Sequence, residues 1–283
     1  MAKILDGKVV ASAVKDRLKN LVAALPAGGP RPGLAVVLVG EDPGSVIYVG
    51  NKEKACLEIG FHSVVHRLAA NTPQDVLLDL VHQLNADPKI HGMLVQLPLP
   101  KGFDSQKVLL AIDPSKDVDG LHPDNLGRLV AGMAGPKSCT PYGVMEMLHY
   151  YQIPVSGKRA VVVGRSNMVG KPMAQMLLAE NATVTMCHSK TADLAGEIRR
   201  AEILVAAIGK ARFITADMVQ PGAVVIDVGT NRPAGEKLCG DVDFGPVSEK
   251  VAAISPVPGG VGLMTIAMLM QNTWNAFSTQ TGS

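Results

Sequence analysis

The chain of 283 residues has only four cysteines, Cys56, Cys139, Cys187 and Cys239, and no two of them form a C-x-x-C pair. That scatter argues against a disulfide scaffold and reads as reduced, packed thiols in a cytoplasmic protein. Aromatic residues are scarce at 4% and the net charge is only +2. Binding nucleic acid calls for a basic field or a stacking platform, so no such partner is expected. No apolar run approaches the roughly 20 residues of a membrane span. Met1–Gly7 lacks the apolar stretch of a signal peptide, so a cytoplasmic location without a membrane partner is expected. There is no G-x-S-x-G, no cysteine visibly partnered with a histidine, and no string of metal ligands. Nucleophilic and metal catalysis both find little support. Charged residues are 18%, below the usual quarter or so, against 47% hydrophobic. That balance suits parallel sheets covered on both faces, in a chain long enough for two domains.

What is present centres on Val161-Val162-Val163-Gly164-Arg165-Ser166-Asn167-Met168-Val169-Gly170. A β-branched run stops at Gly164, polar residues come next, and Gly170 leads through Pro172 into an apolar stretch. This reads as strand, turn and helix, with the helix N-terminus placed to receive a phosphate. The middle glycine of G-x-G-x-x-G is Ser166 here, so the regular dinucleotide fingerprint is absent. The next strand ends in His188-Ser189-Lys190-Thr191, and no acid appears until Asp193. An NAD site places an acid near that point to bind the ribose 2′-hydroxyl. An imidazole, two hydroxyls, an ammonium and nearby Arg165 suit a 2′-phosphate instead, so NADP is the expected cofactor. The alternative is a polar strand end with solvated charges.

Two α/β series are visible. In the first, a helix over 7–25 precedes strands at 34–39, 61–68 and 92–96, with helices at 45–59 and 73–84 between them. The second has strands at 161–163, 182–187, 202–207 and 223–228. The stretch from Asp113 to Pro141, rich in Gly, Pro and Asp, joins the halves. The helix from Leu263 to Phe277 either closes the second lobe or crosses back to brace the first. Such alternation predicts parallel sheets with right-handed crossovers.

Ligands bind beyond the carboxyl ends of such strands. Tyr48 and Lys52 lie four apart on one helix and share a face with Cys56 and Ile59. A lysine held on an apolar face has a lowered pKa and can act as a neutral base; otherwise it snorkels from the edge of the core. Gln96 ends the buried run Met93-Leu94-Val95, placed either to orient a base or substrate or to cap the sheet. Asp119, in Lys116-Asp117-Val118-Asp119-Gly120, is either a partner for an amino-heterocycle or a turn residue. Pro258-Gly259-Gly260-Val261-Gly262 opens the last helix and lets the backbone approach a ligand closely, unless it is a plain joining turn.

Taken together, these segments closely resemble the bifunctional methylenetetrahydrofolate dehydrogenase/cyclohydrolase family. The resemblance covers nearly the whole chain and rests on seven stretches in family order. They are Ser45–Lys52, Val95-Gln96-Leu97-Pro98-Leu99-Pro100, Lys116–Gly120, Cys139-Thr140-Pro141, Gly164-Arg165-Ser166, Asp227-Val228-Gly229-Thr230 and Pro258–Gly262. It implies a βαβ folate lobe over 1–118, completed by helix 263–283, and a Rossmann-like NADP lobe over 140–262. Residues 119–139 would connect them, with the substrate between the lobes. The implied catalytic residues are Lys52, its partner Gln96, and Asp119 as anchor of the pterin amine. Tyr48 would stack on the aminobenzoyl ring, with Leu97, Pro258, Gly259 and Gly260 also at the substrate. Thr140, Gly164, Arg165, Ser166, His188, Ser189, Gly229 and Thr230 would bind NADP, with Arg165, Ser166 and Ser189 at its 2′-phosphate end. The resemblance further implies tetrahydrofolate substrates and a homodimer joined through the cofactor lobes. One departure is Leu263, where the family usually has proline; a slightly looser loop with both activities intact is expected. The rival readings are a dehydrogenase lacking hydrolase activity, an NAD enzyme, and a silent NADP-binding regulator.

Overall fold

Apolar runs punctuated by glycine and proline become strands, and amphipathic runs between them become helices. The computed structural model describes residues 1–282; Ser283, the expected end of the last helix, lies outside the described residues. In chain order the first elements are β1 (Lys3–Ile4), α1 (Gly7–Ala23), β2 (Gly33–Val39), α2 (Pro43–Ile59), β3 (His62–Leu68) and α3 (Gln74–Ala86). Then come β4 (Gly92–Val95), α4 (Ser105–Ala111), α5 (Pro123–Val130), α6 (Cys139–Tyr150), β5 (Arg159–Val163), α7 (Gly170–Ala179) and β6 (Thr183–Cys187). The last are α8 (Leu194–Arg199), β7 (Ile203–Ala206), β8 (Val224–Asp227), α9 (Phe244–Ser248), β9 (Ala253–Ile254) and α10 (Val261–Thr281).

The chain forms two units. The first unit takes Met1–Ser12 and Thr140–Thr265. Its sheet is parallel throughout, in the order β1-β9-β8-β7-β5-β6. Val161, Val163, Leu204, Ala206, Val225 and Ile254 supply a core cluster on it, with Ile198 and Val247 packed in. Strand β5 lies between β6 and β7, so strand addition reverses after β6. That reversal leaves a crevice beyond the carboxyl ends of β5 and β7, the usual ligand position in open α/β sheets.

The second unit takes Ala13–Cys139 and the chain from Ile266 onward. Its parallel sheet runs β3-β2-β4, and every residue of the central strand β2 is buried. Leu77, Val81 and Leu84 of α3 cluster with Val37, Met93 and Val95. Here too the order reverses, at β2 and β4, so their carboxyl ends bound a second crevice.

Three features differ from the sequence pattern. Helix α2 starts at Pro43 rather than Ser45, because Asp42 caps it by accepting from Ser45 N at 2.8 Å and proline suits the first turn. The segment expected to join the halves is folded: it carries α5, and its Val118 is fully buried. Asp117 pins this segment, accepting from His122 N at 2.7 Å and Asn125 Nδ2 at 2.9 Å, and it clusters with the second unit as far as Cys139. Met1–Ser12 clusters with the first unit, because Lys3 and Ile4 pair with Ala253 and Ile254. Helix α10 does cross: from Ile266 it belongs to the second unit.

Candidate active site

In the second unit, the crevice end of β4 carries Gln96, whose N–H donates to Val37 O at 2.8 Å. Its side-chain Nε2 donates to Leu97 O at 2.7 Å, which turns Oε1 the other way. The Lys52 ammonium donates to that oxygen at 2.9 Å. Lys52 is only 8% exposed, alongside Val49, Ala55, Cys56 and Ile59 on the buried side of α2. Burial pushes the Lys52 pKa below the ordinary lysine value, opposed by the nearby Asp119 carboxylate. The result is an amine tuned toward neutrality and held by an amide of fixed orientation. Tyr48, one turn earlier, is 48% exposed, so its ring is available to a ligand.

Asp119 is half-buried, while its neighbour Asp117 is 1% exposed and is spent on the local turn. The two acids therefore do not act as a pair. Gly120, at φ 71°, passes so close to Lys137 and Ser138 that a Cβ would overlap their backbone. Cys139 is buried and donates to Val118 O at 3.3 Å; burial holds its thiol far above the usual range, so it is no nucleophile. Asn272 ties α10 to this segment, donating to Val118 O at 2.8 Å and Lys137 O at 2.7 Å. Sequence pattern does not mark Cys139 or Asn272 for this packing, since both lie far along the chain from their partners.

In the first unit, Gly164 comes directly after β5 with φ 131°, and a Cβ there would overlap the Ala207 carbonyl oxygen. A Cβ at Gly170 would overlap the Gly164 carbonyl in turn. Both glycines thus bring the turn and the start of α7 together, a cradle that backbone alone can form. Ser166 Oγ accepts from Val169 N at 3.1 Å and shapes the turn. Arg165, Ser166 and Ser189 are exposed, and no acid ends β6. His188 Nδ1 accepts from Lys190 N at 3.2 Å and its backbone N–H donates to Thr191 Oγ1 at 2.9 Å, forming a tight polar turn. Among the described residues, these groups fit a phosphate-bearing ribose, with cationic and hydroxyl donors in place of a carboxylate.

Gly229 and exposed Thr230 lie just past β8 at the same edge of the sheet. Thr140 Oγ1, in the first turn of α6, lies 3.0 Å from Thr265 Oγ1. The Pro258–Gly260 loop also belongs to the first unit: Gly259 has φ 103° and its carbonyl accepts from Gly7 N at 2.9 Å. Leu263 is exposed, and its N–H closes a long 3.3 Å bond to Gly260 O in the first turn of α10. Two acids sit behind these loops, Asp227 opening one of the family stretches and Asp241 outside all of them. Asp227 is 3% exposed and Asp241 fully buried. A buried acid that accepts from loop N–H groups looks in sequence like any turn aspartate.

Comparison with known proteins gives the family. The family model described as tetrahydrofolate dehydrogenase/cyclohydrolase, catalytic domain, matches residues 5–119. The model for the NAD(P)-binding domain of the same family matches residues 138–281. The bifunctional protein FolD of Desulfovibrio desulfuricans is 57% identical, over 98% of this chain and 99% of its own. A solved FolD dehydrogenase/cyclohydrolase from Campylobacter jejuni superposes with TM-score 0.96 at 47% identity, covering 99% of both chains. A Trypanosoma brucei dehydrogenase-cyclohydrolase, complexed with NADP cofactor and inhibitor, superposes with TM-score 0.94 at 38% identity, covering 100% of this chain and 99% of its own. With both family models matched in order along the chain, this protein belongs to the tetrahydrofolate dehydrogenase/cyclohydrolase family.

Proposed function

We propose that the chain oxidises 5,10-methylenetetrahydrofolate to 5,10-methenyltetrahydrofolate with NADP, then hydrolyses that product to 10-formyltetrahydrofolate, supplying one-carbon units. The observation that carries this reading is the buried Lys52 amine held by the oriented Gln96 amide.

When bound, NADP supplies the hydride acceptor. The substrate's own nitrogen lone pair drives the hydride from the bridging carbon, so the chain chiefly has to position the reactants. Tyr48 offers its exposed ring to the aminobenzoyl group, Asp119 its carboxylate to the pterin amine, and Leu97 with Pro258–Gly260 close backbone contact. Arg165, Ser166, His188 and Ser189 hold the 2′-phosphate end of the cofactor, and Gly164 lets its diphosphate approach α7. Thr140, Gly229 and Thr230 act nearer the nicotinamide.

Hydrolysis asks for a base. A water oxygen bonds to the bridging carbon of the methenyl cation and its proton passes to the neutral Lys52 amine. That proton then goes to the ring nitrogen as its bond to the carbon breaks, and the remaining hydroxyl proton leaves to solvent as the formyl group forms. Gln96 keeps the amine in place throughout.

The proposal includes the cytoplasm as location and a homodimer joined through the first unit, where β6 leaves a sheet edge open to a second copy. Among the described residues no helix is long and apolar enough to cross a membrane. A paired spectrophotometric assay tests the activity: cofactor reduction with methylenetetrahydrofolate and either NADP or NAD, then methenyltetrahydrofolate loss above its spontaneous rate. Both activities with NADP preferred is the expected result. Reduction without hydrolysis removes Lys52 from its role, and silence in both favours an NADP-binding regulator.

A further inference from the structure

We propose that Asp227 and Asp241 are positioning residues: a buried carboxylate clamp that holds the loops after β7 and β8 in the shape the cofactor needs. This rests on the reading that Gly229 and Thr230 lie against NADP.

Strands β7 and β8 end at Ala206 and Asp227, and the loop after each strand lies at the carboxyl edge of the sheet, where ligands bind. Asp241 Oδ2 accepts from Ile208 N at 2.7 Å and Gly209 N at 3.0 Å. Its Oδ1 accepts from Lys210 N at 2.8 Å and Asn231 Nδ2 at 2.8 Å. Three successive backbone N–H groups therefore converge on one carboxylate, the geometry of an anion-binding nest with the anion built in. The same carboxylate reaches the other loop through Asn231.

Asp227 secures the clamp from behind. Its Oδ1 accepts from Asp241 N and from Gly229 N, each at 2.9 Å, and its Oδ2 accepts from Val242 N at 2.9 Å. Glycine seats both carboxylates: a Cβ at Gly229 would overlap the Asp241 side chain, and one at Gly240 the Asp227 side chain. Among the described residues neither acid has a lysine or arginine salt-bridge partner. The desolvation cost of the two buried carboxylates is offset by six backbone N–H donors and the Asn231 amide. What the pair provides is fixed N–H positions in two loops at the cofactor edge. Burial pushes the Asp227 pKa up to about 6, against the pull of its three N–H donors.

The bifunctional reaction separates positioning from general stability, because methenyltetrahydrofolate hydrolysis consumes no cofactor. Asparagine at 241 keeps the size but must turn an NH2 toward two N–H donors whichever way it lies. In Asp241→Asn we expect the NADP KM of the dehydrogenase to rise about tenfold or more, with cofactor-free hydrolysis within about twofold of the parent. An unchanged KM, or a parallel fall of both activities, overturns the clamp. Should that variant not fold, Asn231→Ala removes one donor and leaves both acids intact. It is expected to raise the KM about threefold with hydrolysis unchanged, and a flat KM overturns the proposal. Gly164→Ala serves as the reference. A raised KM there with none in the clamp variants defeats the clamp alone, whereas a flat KM in all of them defeats the cofactor-site reading itself.

Discussion

At the scale of single residues, the decisive balance is at Lys52, where desolvation outweighs the Asp119 charge and lowers the pKa. A base must be neutral, so hydrolysis rises with pH through the deprotonation of Lys52, at lower pH than an ordinary lysine would show. Lys52→Gln flattens that limb in a pH–rate profile; an unchanged limb assigns it to another group. The linked effect on stability has the same direction. The folded state binds this proton more weakly than the unfolded one, so the cost of burying the charge is fully present below the folded pKa and is lost as pH rises from there through the unfolded value. Lys52→Met lowers methenyl hydrolysis by about 100-fold or more while folate binding, read by equilibrium titration, changes little. Leu263 is a milder matter. Its N–H makes a long bond in the first helical turn, where proline is tolerated. Leu263→Pro should leave both activities within about twofold, since the bond lost is worth only about 0.5–1.5 kcal/mol; a large gain in turnover would show that this loop limits the parent enzyme.

At the scale of elements, the strands that carry the site are legible from their apolar runs, because a strand buried on both faces has no polar interruption. Strands β2, β4 and β5 are of this kind; Gln96 stands out as the polar group that ends one such run, and Lys52 as the lysine on the buried face of α2. The two-residue strands β1 and β9 leave no periodic signal, since pairing alone defines them. Helix α5 is hidden by the glycine and proline around it, and is fixed by side-chain bonds from the preceding turn, such as Asn125 to Asp117. Residue pattern alone offers Lys52 and Gln96 as separate candidates; the family resemblance pairs them, and the fold supplies the 2.9 Å bond. Helix α2 depends on its first turn. Asp42→Ala removes the side chain that accepts from both Ser45 N and Oγ, and should cost about 1 kcal/mol. Thermal unfolding would register the loss, and hydrolysis should fall with it if fraying of α2 loosens Lys52.

At the scale of the molecule, the Gly164 turn lies in the first unit and the Lys52–Gln96 pair in the second, so ligands can be used to address them separately. NADP at about 100 times its Kd should stabilise the unit that binds it by about 2.7 kcal/mol, visible as a raised melting temperature. NAD at the same concentration should give a smaller shift, and Arg165→Ala should bring the two shifts together; equal shifts in the parent would remove the 2′-phosphate reading. The path of the chain has a consequence for biosynthesis as well. Strand β1 leaves the ribosome long before its partner β9, and the second unit awaits the part of α10 beyond Ile266. Vectorial synthesis therefore delivers the sheet β3-β2-β4 long before its last helix. Between the synthesis of β2 and that of α10 the nascent chain holds two unfinished cores, and it must be shielded from its neighbours over that interval.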